Sequence, residues 1–175
     1  MKKMSTMLTA VIMIAAMLVS VTTWAQSPAA TATGKLASGA NITVKYSSPS
    51  VKGRKIWGSD LVPYGKVWRA GANEATTIET DKDITIAGKT LPKGKYSLYA
   101  EPANDKDWTI YINSQTGQWG ITRAGETTHD ASKDVAVLKT TSKKSASMNE
   151  ALKYVVTADG ISLQWENLEI PVPVK

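Results

Sequence analysis

The seven positions of the run WRAGANE carry an indole, a guanidinium, an amide and a carboxylate: Trp68, Arg69, Asn73 and Glu74. Arg54, Trp57 and Tyr64 lie just before them. Read as a binding site, Trp57, Tyr64 and Trp68 offer flat apolar platforms. Arg54 and Arg69 offer planar forks suited to carboxylate or phosphate. Asn73 and Glu74 add directional hydrogen bonds, to a ligand or to Arg69 itself. The VPYG run predicts a tight turn that fixes the Tyr64 ring. Aromatic walls with a few convergent polar groups are what small-molecule pockets use. Read as a crossover between two sheets, the same residues have a different task. A buried loop must hydrogen-bond its own backbone, and Arg, Asn and Glu side chains are suited to that. Arg69 can then pair with Glu74, and Asn73 can hold a turn beside Gly71. The sequence leaves both readings open.

Catalytic chemistry has less to draw on, and no catalytic residue is assigned. The one histidine, His129, sits in the polar run GETTHDAS. A Ser-His-Asp arrangement needs partners positioned in space, and sequence neighbours such as Asp130 usually point apart, so His129 is expected to be a solvated loop residue. Hydrolysis by paired carboxylates needs a second acid about 5–10 Å away; Glu74 is one candidate and nothing marks the other. An envelope hydrolase using Glu74 as base therefore stands as an alternative that requires an open cleft and a second carboxylate, or His129, within reach. Asp81/Asp83 and Asp105/Asp107 have a spacing that calcium loops use, without the full ligand series. They are expected to be solvated turn carboxylates, and neither metal nor cofactor is expected. The absence of cysteine removes thiol catalysis and cysteine-bound zinc.

These residues must be positioned by a fold, and the chain outlines one. Lys2 and Lys3, the apolar run Met7 to Val19, and the small residues ending at Ala25 have the form of a secretory signal peptide. The run is shorter than the ~20 residues of a spanning helix. Cleavage is expected after Ala25, with Ala30 the second choice. Removing those 25 residues from 175 leaves 150, enough for one domain with a substantial core. The net charge falls from +6 to +4 as Lys2 and Lys3 leave. No basic cluster is interleaved with aromatics, so nucleic acid is not an expected partner. An exported domain, periplasmic or secreted and with no membrane span after cleavage, is expected to meet a small molecule, a glycan or an envelope protein.

Gln26 to Thr33 is small and polar and is expected to be a flexible leader ahead of a single domain over 34–175. Beyond it the apolar period is two, the signature of strands. Ile42/Val44/Tyr46, Ile84/Ile86, Tyr96/Leu98/Ala100, Trp108/Ile110/Ile112, Val135/Val137 and Ile161/Leu163/Trp165 are expected to mark inward faces. Leu168 to Val174 continues the pattern, with Pro171 and Pro173 confining it to an edge. Asp159-Gly160 signals a hairpin. Ser147 and Glu150 have capping-box spacing, but the β-formers Tyr154 to Thr157 favour a strand over 151–158. Arg123 to Lys133, and the lysine run around Lys139, Lys143 and Lys144, are expected to be solvated loops. Eight or nine short strands predict an antiparallel β-sandwich or a jelly roll. Phenylalanine is absent, so tryptophan and tyrosine must fill the core.

The run from Tyr46 through GRKIWGSDLVPYGKVWRAGANEATTIET to KGKYSLYAEP, with WTIYIN and QWG after it, resembles a bacterial family catalogued as domain of unknown function 2911. The likeness covers Ile42 to Val174. It implies an exported protein, common in Bacteroidota, with a β-sandwich-like domain, and no established activity. One departure is visible: Ile121, Thr122 and Arg123 stand where the family's pattern leads one to expect an aromatic, which would thin any pocket wall there.

Overall fold

The computed structural model describes residues 26–175, so the expected signal peptide lies outside the described residues. Ten strands follow in order: β1 (Ala29–Lys35), β2 (Asn41–Ser47), β3 (Thr77–Thr80), β4 (Ile84–Ile86), β5 (Lys89–Leu91), β6 (Gly94–Pro102), β7 (Asp107–Asn113), β8 (Asp134–Thr141), β9 (Lys143–Thr157) and β10 (Gly160–Pro173). Every pairing between them is antiparallel. The protein is an all-β antiparallel sandwich, as the alternating pattern predicts.

One layer is a six-stranded sheet in the order β1-β2-β3-β6-β7-β8. That order is nearly sequential, interrupted only by the β4–β5 hairpin, so the connections are those of a meander, not the interleaved order of a jelly roll. The opposing layer is the long β9–β10 ribbon, extended by β4 and β5 through the C-terminus. Lys175 and Thr85 exchange both backbone hydrogen bonds, at 3.0 and 2.6 Å. The ribbon does not run straight. Glu166 takes a positive φ of 51° at a break in register, and Asn149, buried beside it, donates to the carbonyls of Ser147 and Glu166. The bend brings the end of β10 back beside its start, where the Val174 N–H donates to the Asp159 carbonyl. Gly160 permits that approach, because a Cβ there would clash with the backbone of Val172 and Val174. Pro171 and Pro173 lie beyond the last β9-paired residue, where no ladder donor is needed.

The core between the layers is built on tryptophan. Trp57 meets Trp108, Trp165 and Trp68 edge-on, with centroids 5.2, 5.7 and 6.3 Å apart, and Trp68 stacks on Trp165 at 6.0 Å. Such pairs add about 0.5–1.5 kcal/mol each beyond the area they bury. Ile42, Val44, Ile78, Leu98, Ile110, Ile112, Leu163 and Ile170 close the rest of the core.

Several expectations are corrected. Residues 29–33, expected to be a flexible leader, form most of β1, and a Cβ at Gly34 would meet Val156 at 2.7 Å, so this strand packs closely on the ribbon. Val135 and Val137 point outward and Ala136 inward, because the register of β8 on β7 places Ala136 opposite buried Ile112. The lysines of 139–144 stand on strands, with Ser142 alone between β8 and β9. Residues 143–150 extend the expected 151–158 strand. Arg123–Lys133 belongs to the long β7–β8 connection and ends in a 3-10 turn, Ala131–Lys133, capped by Asp130. The turn aspartates are exposed, as expected, and also have protein partners: Asp81 accepts from Asn41, Asp83 from the Lys93 N–H, Asp105 from Tyr64 and Asp107 from Asn104. Among the described residues, no helix is long and apolar enough to cross a membrane, and no group of three metal-ligating side chains forms.

Candidate functional site

Residues 68–76 cross from one edge of the core to β3, and most of their polar groups are used in doing so. Trp68 and Ala100 exchange backbone hydrogen bonds, which fixes Trp68 onto β6. Ala70 adopts a positive φ of 53° and is fully buried. Its carbonyl accepts from Thr76 Oγ1 at 2.9 Å and from Tyr154 Oη at 2.7 Å. Those two bonds hold a conformation costly for a residue with a Cβ. Trp68 Nε1 donates to the Gly71 carbonyl at 3.1 Å. Asn73, also left-handed, donates through Nδ2 to the Ser27 carbonyl and to Ser47 Oγ. Asn73 thus holds a turn, as the crossover reading requires.

The other candidates separate. Trp57 is 6% exposed and lies at the centre of the tryptophan cluster, its Nε1 buried without an acceptor, and it lines neither of the two clefts described below. Tyr64 is half out in solvent and donates to Asp105; that bond first, then burial, pushes its phenol up to about 12. The turn at Tyr64–Gly65 forms as predicted. Arg54 folds back onto its own loop, donating to the carbonyls of Val51 and Ser50 at 3.1 and 2.5 Å, and stays exposed. Glu74 is exposed and pairs by backbone with Trp119. It borders a trough of about 240 Å³ on the outer sheet face beside Lys45 and Lys95, with no second acid and no His129 in that lining.

Arg69 does not close on Glu74. Among the described residues no carboxylate lies within 4.0 Å of its guanidinium. Its Nε is fully buried without an acceptor, and burial lowers its pKa from the ordinary arginine value, although a guanidinium stays charged at neutral pH. Two clefts meet at this side chain, sharing Leu61, Trp68 and Arg69. The larger, about 800 Å³, lies between residues 60–69 and the small hairpin 120–128. The smaller, about 320 Å³, is closed by Arg54, Asn73 and Trp165. Volumes of this order are those of small-molecule sites.

The far wall of the larger cleft is the part the sequence concealed. The β7–β8 connection is fastened to the 68–76 crossover by backbone bonds from Ala75 to Gln118 and from Gly120 to Asn73. The 120–128 hairpin then closes with Ile121 paired to Thr127. Ile121 lines the cleft where an aromatic was expected, and Arg123 is exposed. The wall is pinned by His129, which corrects its expected place as a solvated residue. The imidazole Nε2 lies 2.8 and 3.0 Å from the two oxygens of Asp134, with both side chains at most a tenth exposed. The carboxylate accepts, so Nε2 carries the proton. The ring packs between Tyr99 and Tyr111, at 5.0 and 4.9 Å. Asn113, with no exposure, braces Asp134 and the Asp130 carbonyl at 2.8 Å each.

No characterised protein and no solved structure matches the chain. The family described as protein of unknown function (DUF2911) matches residues 27–174, nearly everything described above, and the chain belongs to that family.

Proposed function

We propose that this domain is an exported, non-catalytic binding module whose ligand is a small organic anion held by Arg69. The observation that carries the reading is the unpartnered guanidinium at the junction of the two clefts. Removing a cation from water without a counter-charge is costly. A fold that only needed stitching would have closed Arg69 on nearby Glu74, or replaced it with an apolar side chain. A ligand carboxylate or phosphoryl group can instead meet the part of the half-buried guanidinium that still reaches solvent, in the planar geometry that Arg favours. Trp68 and Leu61 provide apolar surface beside it. Asn73 and Trp57 serve the scaffold, Arg54 lines the smaller cleft, and Tyr64 lines neither. Glu74 faces a different trough and has no second acid there, so the hydrolase alternative has no observation in its favour.

The test is isothermal titration of the mature domain with a panel of small carboxylates and phosphate esters, on the native chain and on Arg69→Leu. Saturable binding by the native chain that weakens at least tenfold in the variant, roughly 1.4 kcal/mol, is the expected result. A native chain that binds no anion in the panel, together with an Arg69→Leu variant that unfolds earlier in urea, would leave the loop as a structural crossover.

A further inference from the structure

The chemistry of the two clefts differs, and the difference selects a ligand class. The smaller cleft is lined by two arginines, Arg54 and Arg69, and by no acidic residue. Behind that lining lie two buried donors without acceptors, the Nε of Arg69 and the indole Nε1 of Trp165, a side chain only 2% exposed; a third, Trp57 Nε1, lies in the tryptophan cluster outside this lining. Buried donors without partners are uncommon and costly, and two of these three belong to residues lining this one cleft. That cavity suits a compact oxyanion, which brings several acceptors and no donor.

The larger cleft asks for something else. Asp60 and Glu126 present acceptors, Lys66 a donor and Thr127 a hydroxyl. Leu61, Pro63, Val67 and Ile121 lie between them and give apolar surface. A plain alkyl chain would desolvate the charged groups and return no hydrogen bonds. A polyphosphate would set its charge against Asp60 and Glu126. A ring with hydroxyls at its rim and C–H faces above and below satisfies both kinds of lining.

Building on the anion-binding reading, we propose that the ligand is an acidic saccharide. Its oxyanion, a carboxylate or a phosphoryl group, sits with Arg54 and Arg69 in the smaller cleft. Its hydroxyl-bearing ring occupies the larger cleft, donating to Asp60 and Glu126. Arg69, common to both clefts, fixes the junction between head and ring.

The experiment titrates the mature domain calorimetrically, at low salt, with glucuronate, digalacturonate, glucose 6-phosphate, hexanoate, inorganic phosphate and methyl glucoside. At least one acidic sugar should bind about tenfold or more tighter than hexanoate and inorganic phosphate, with methyl glucoside not binding. The ratio of uronate to sugar phosphate identifies the oxyanion. Asp60→Asn with Glu126→Gln should weaken the acidic sugars about tenfold and leave inorganic phosphate unchanged, because only the ring contacts are altered. If hexanoate or inorganic phosphate binds as tightly as every acidic sugar, or if the amide variants leave sugar binding intact, the saccharide assignment is wrong while Arg69 still holds an anion. If the native chain binds none of the six, the assignment and the underlying reading fall together.

Discussion

Gly120 packs against the side chain of Arg69 so closely that a Cβ at residue 120 would overlap Arg69 Cδ and lie 2.7 Å from its Cβ. The backbone cannot retreat easily, because the Gly120 N–H donates to the Asn73 carbonyl at 3.0 Å and its own carbonyl accepts from Thr128. The hairpin wall and the arginine are therefore fitted to one another. Gly120→Ala should displace the guanidinium and weaken anion binding about tenfold, with overpacking costing about 1–3 kcal/mol of stability. Titration and urea unfolding of the same variant separate the two effects. Unchanged binding would mean that the position of Arg69 does not depend on this contact.

Arg69 and Glu74 face different clefts and share no hydrogen bond or ion pair among the described residues. A double-mutant cycle with Arg69→Ala and Glu74→Ala should then show a coupling no larger than about 0.5 kcal/mol, the scatter of independent sites. Arg69→Ala alone should leave stability unchanged or raise it, since it removes a half-buried unpaired charge. Urea midpoints at constant slope give both numbers. A coupling of several times that size would restore the pairing that the crossover reading predicts.

The His129–Asp134 contact is a fastening for the cleft wall. Asp134→Ala leaves the imidazole N–H and Asn113 Nδ2 without their common acceptor inside a largely closed site. The expected cost is about 1–3 kcal/mol. Local opening should follow the same route, so amide exchange should speed up at Gly120 and Thr128 before the strands of the main sheet lose protection. Uniform loss of protection across β6 and β7 would instead make the contact part of the global core.

Much of this is legible in the chain. The inward faces of β2, β4, β6, β7 and β10 follow from period two, and the all-β class follows with them. Ala136 escapes that reading because strand alternation gives the period and not the phase, and Val looks more apolar than Ala. β1 escapes it because its Ala and Gly residues are weak strand signals and no large apolar residue marks a face, so its formation depends on pairing with β2 and packing on Val156. The 54–74 run mixes core residues such as Trp57 and Trp68 with exposed ones such as Arg54, Tyr64 and Glu74. Trp57 and Trp68 are alike in sequence, and only their places in the tryptophan cluster separate them. His129 is concealed because its partners, Tyr99, Tyr111 and Asp134, come from three strands. No local pattern in a polar run records a contact made across a sheet.

The mature N-terminus is predicted to be Gln26, with the protein recovered outside the cytoplasm. Ser27 and Pro28 already take part in the fold, their carbonyls accepting from Asn73 Nδ2 and from the Ser48 N–H. Cleavage after Ala30 would remove both carbonyls and the first residues of β1, and the product would begin at Thr31. Intact mass of the exported chain distinguishes the two products. A threonine N-terminus would mean that the β1 contacts are dispensable.

Tyr154 predicts the alkaline limit of the fold. Its phenol is 4% exposed and donates to the Ala70 carbonyl. Burial, the largest cause, pushes its pKa well above the ordinary value of 10.0. Below that ordinary value both folded and unfolded chains hold the proton, and stability is independent of this group. As pH rises past it, the unfolded chain releases the proton and the native chain keeps it, so stability falls by up to about 1.4 kcal/mol per pH unit from this residue. Tyr111 acts in the same direction, its phenol pushed to about 12 by burial and then by its bond to Glu101. Tyr154→Phe should lose about 1 kcal/mol near neutral pH, where the hydrogen bond is removed. It should also show a shallower decline between roughly pH 10 and pH 11.5, where the native phenol resists ionisation. Urea midpoints across that window measure the slope directly. A native chain and a Tyr154→Phe variant that decline in parallel would show that this phenol is not what ties the buried Ala70 turn, and the cleft it supports, to pH.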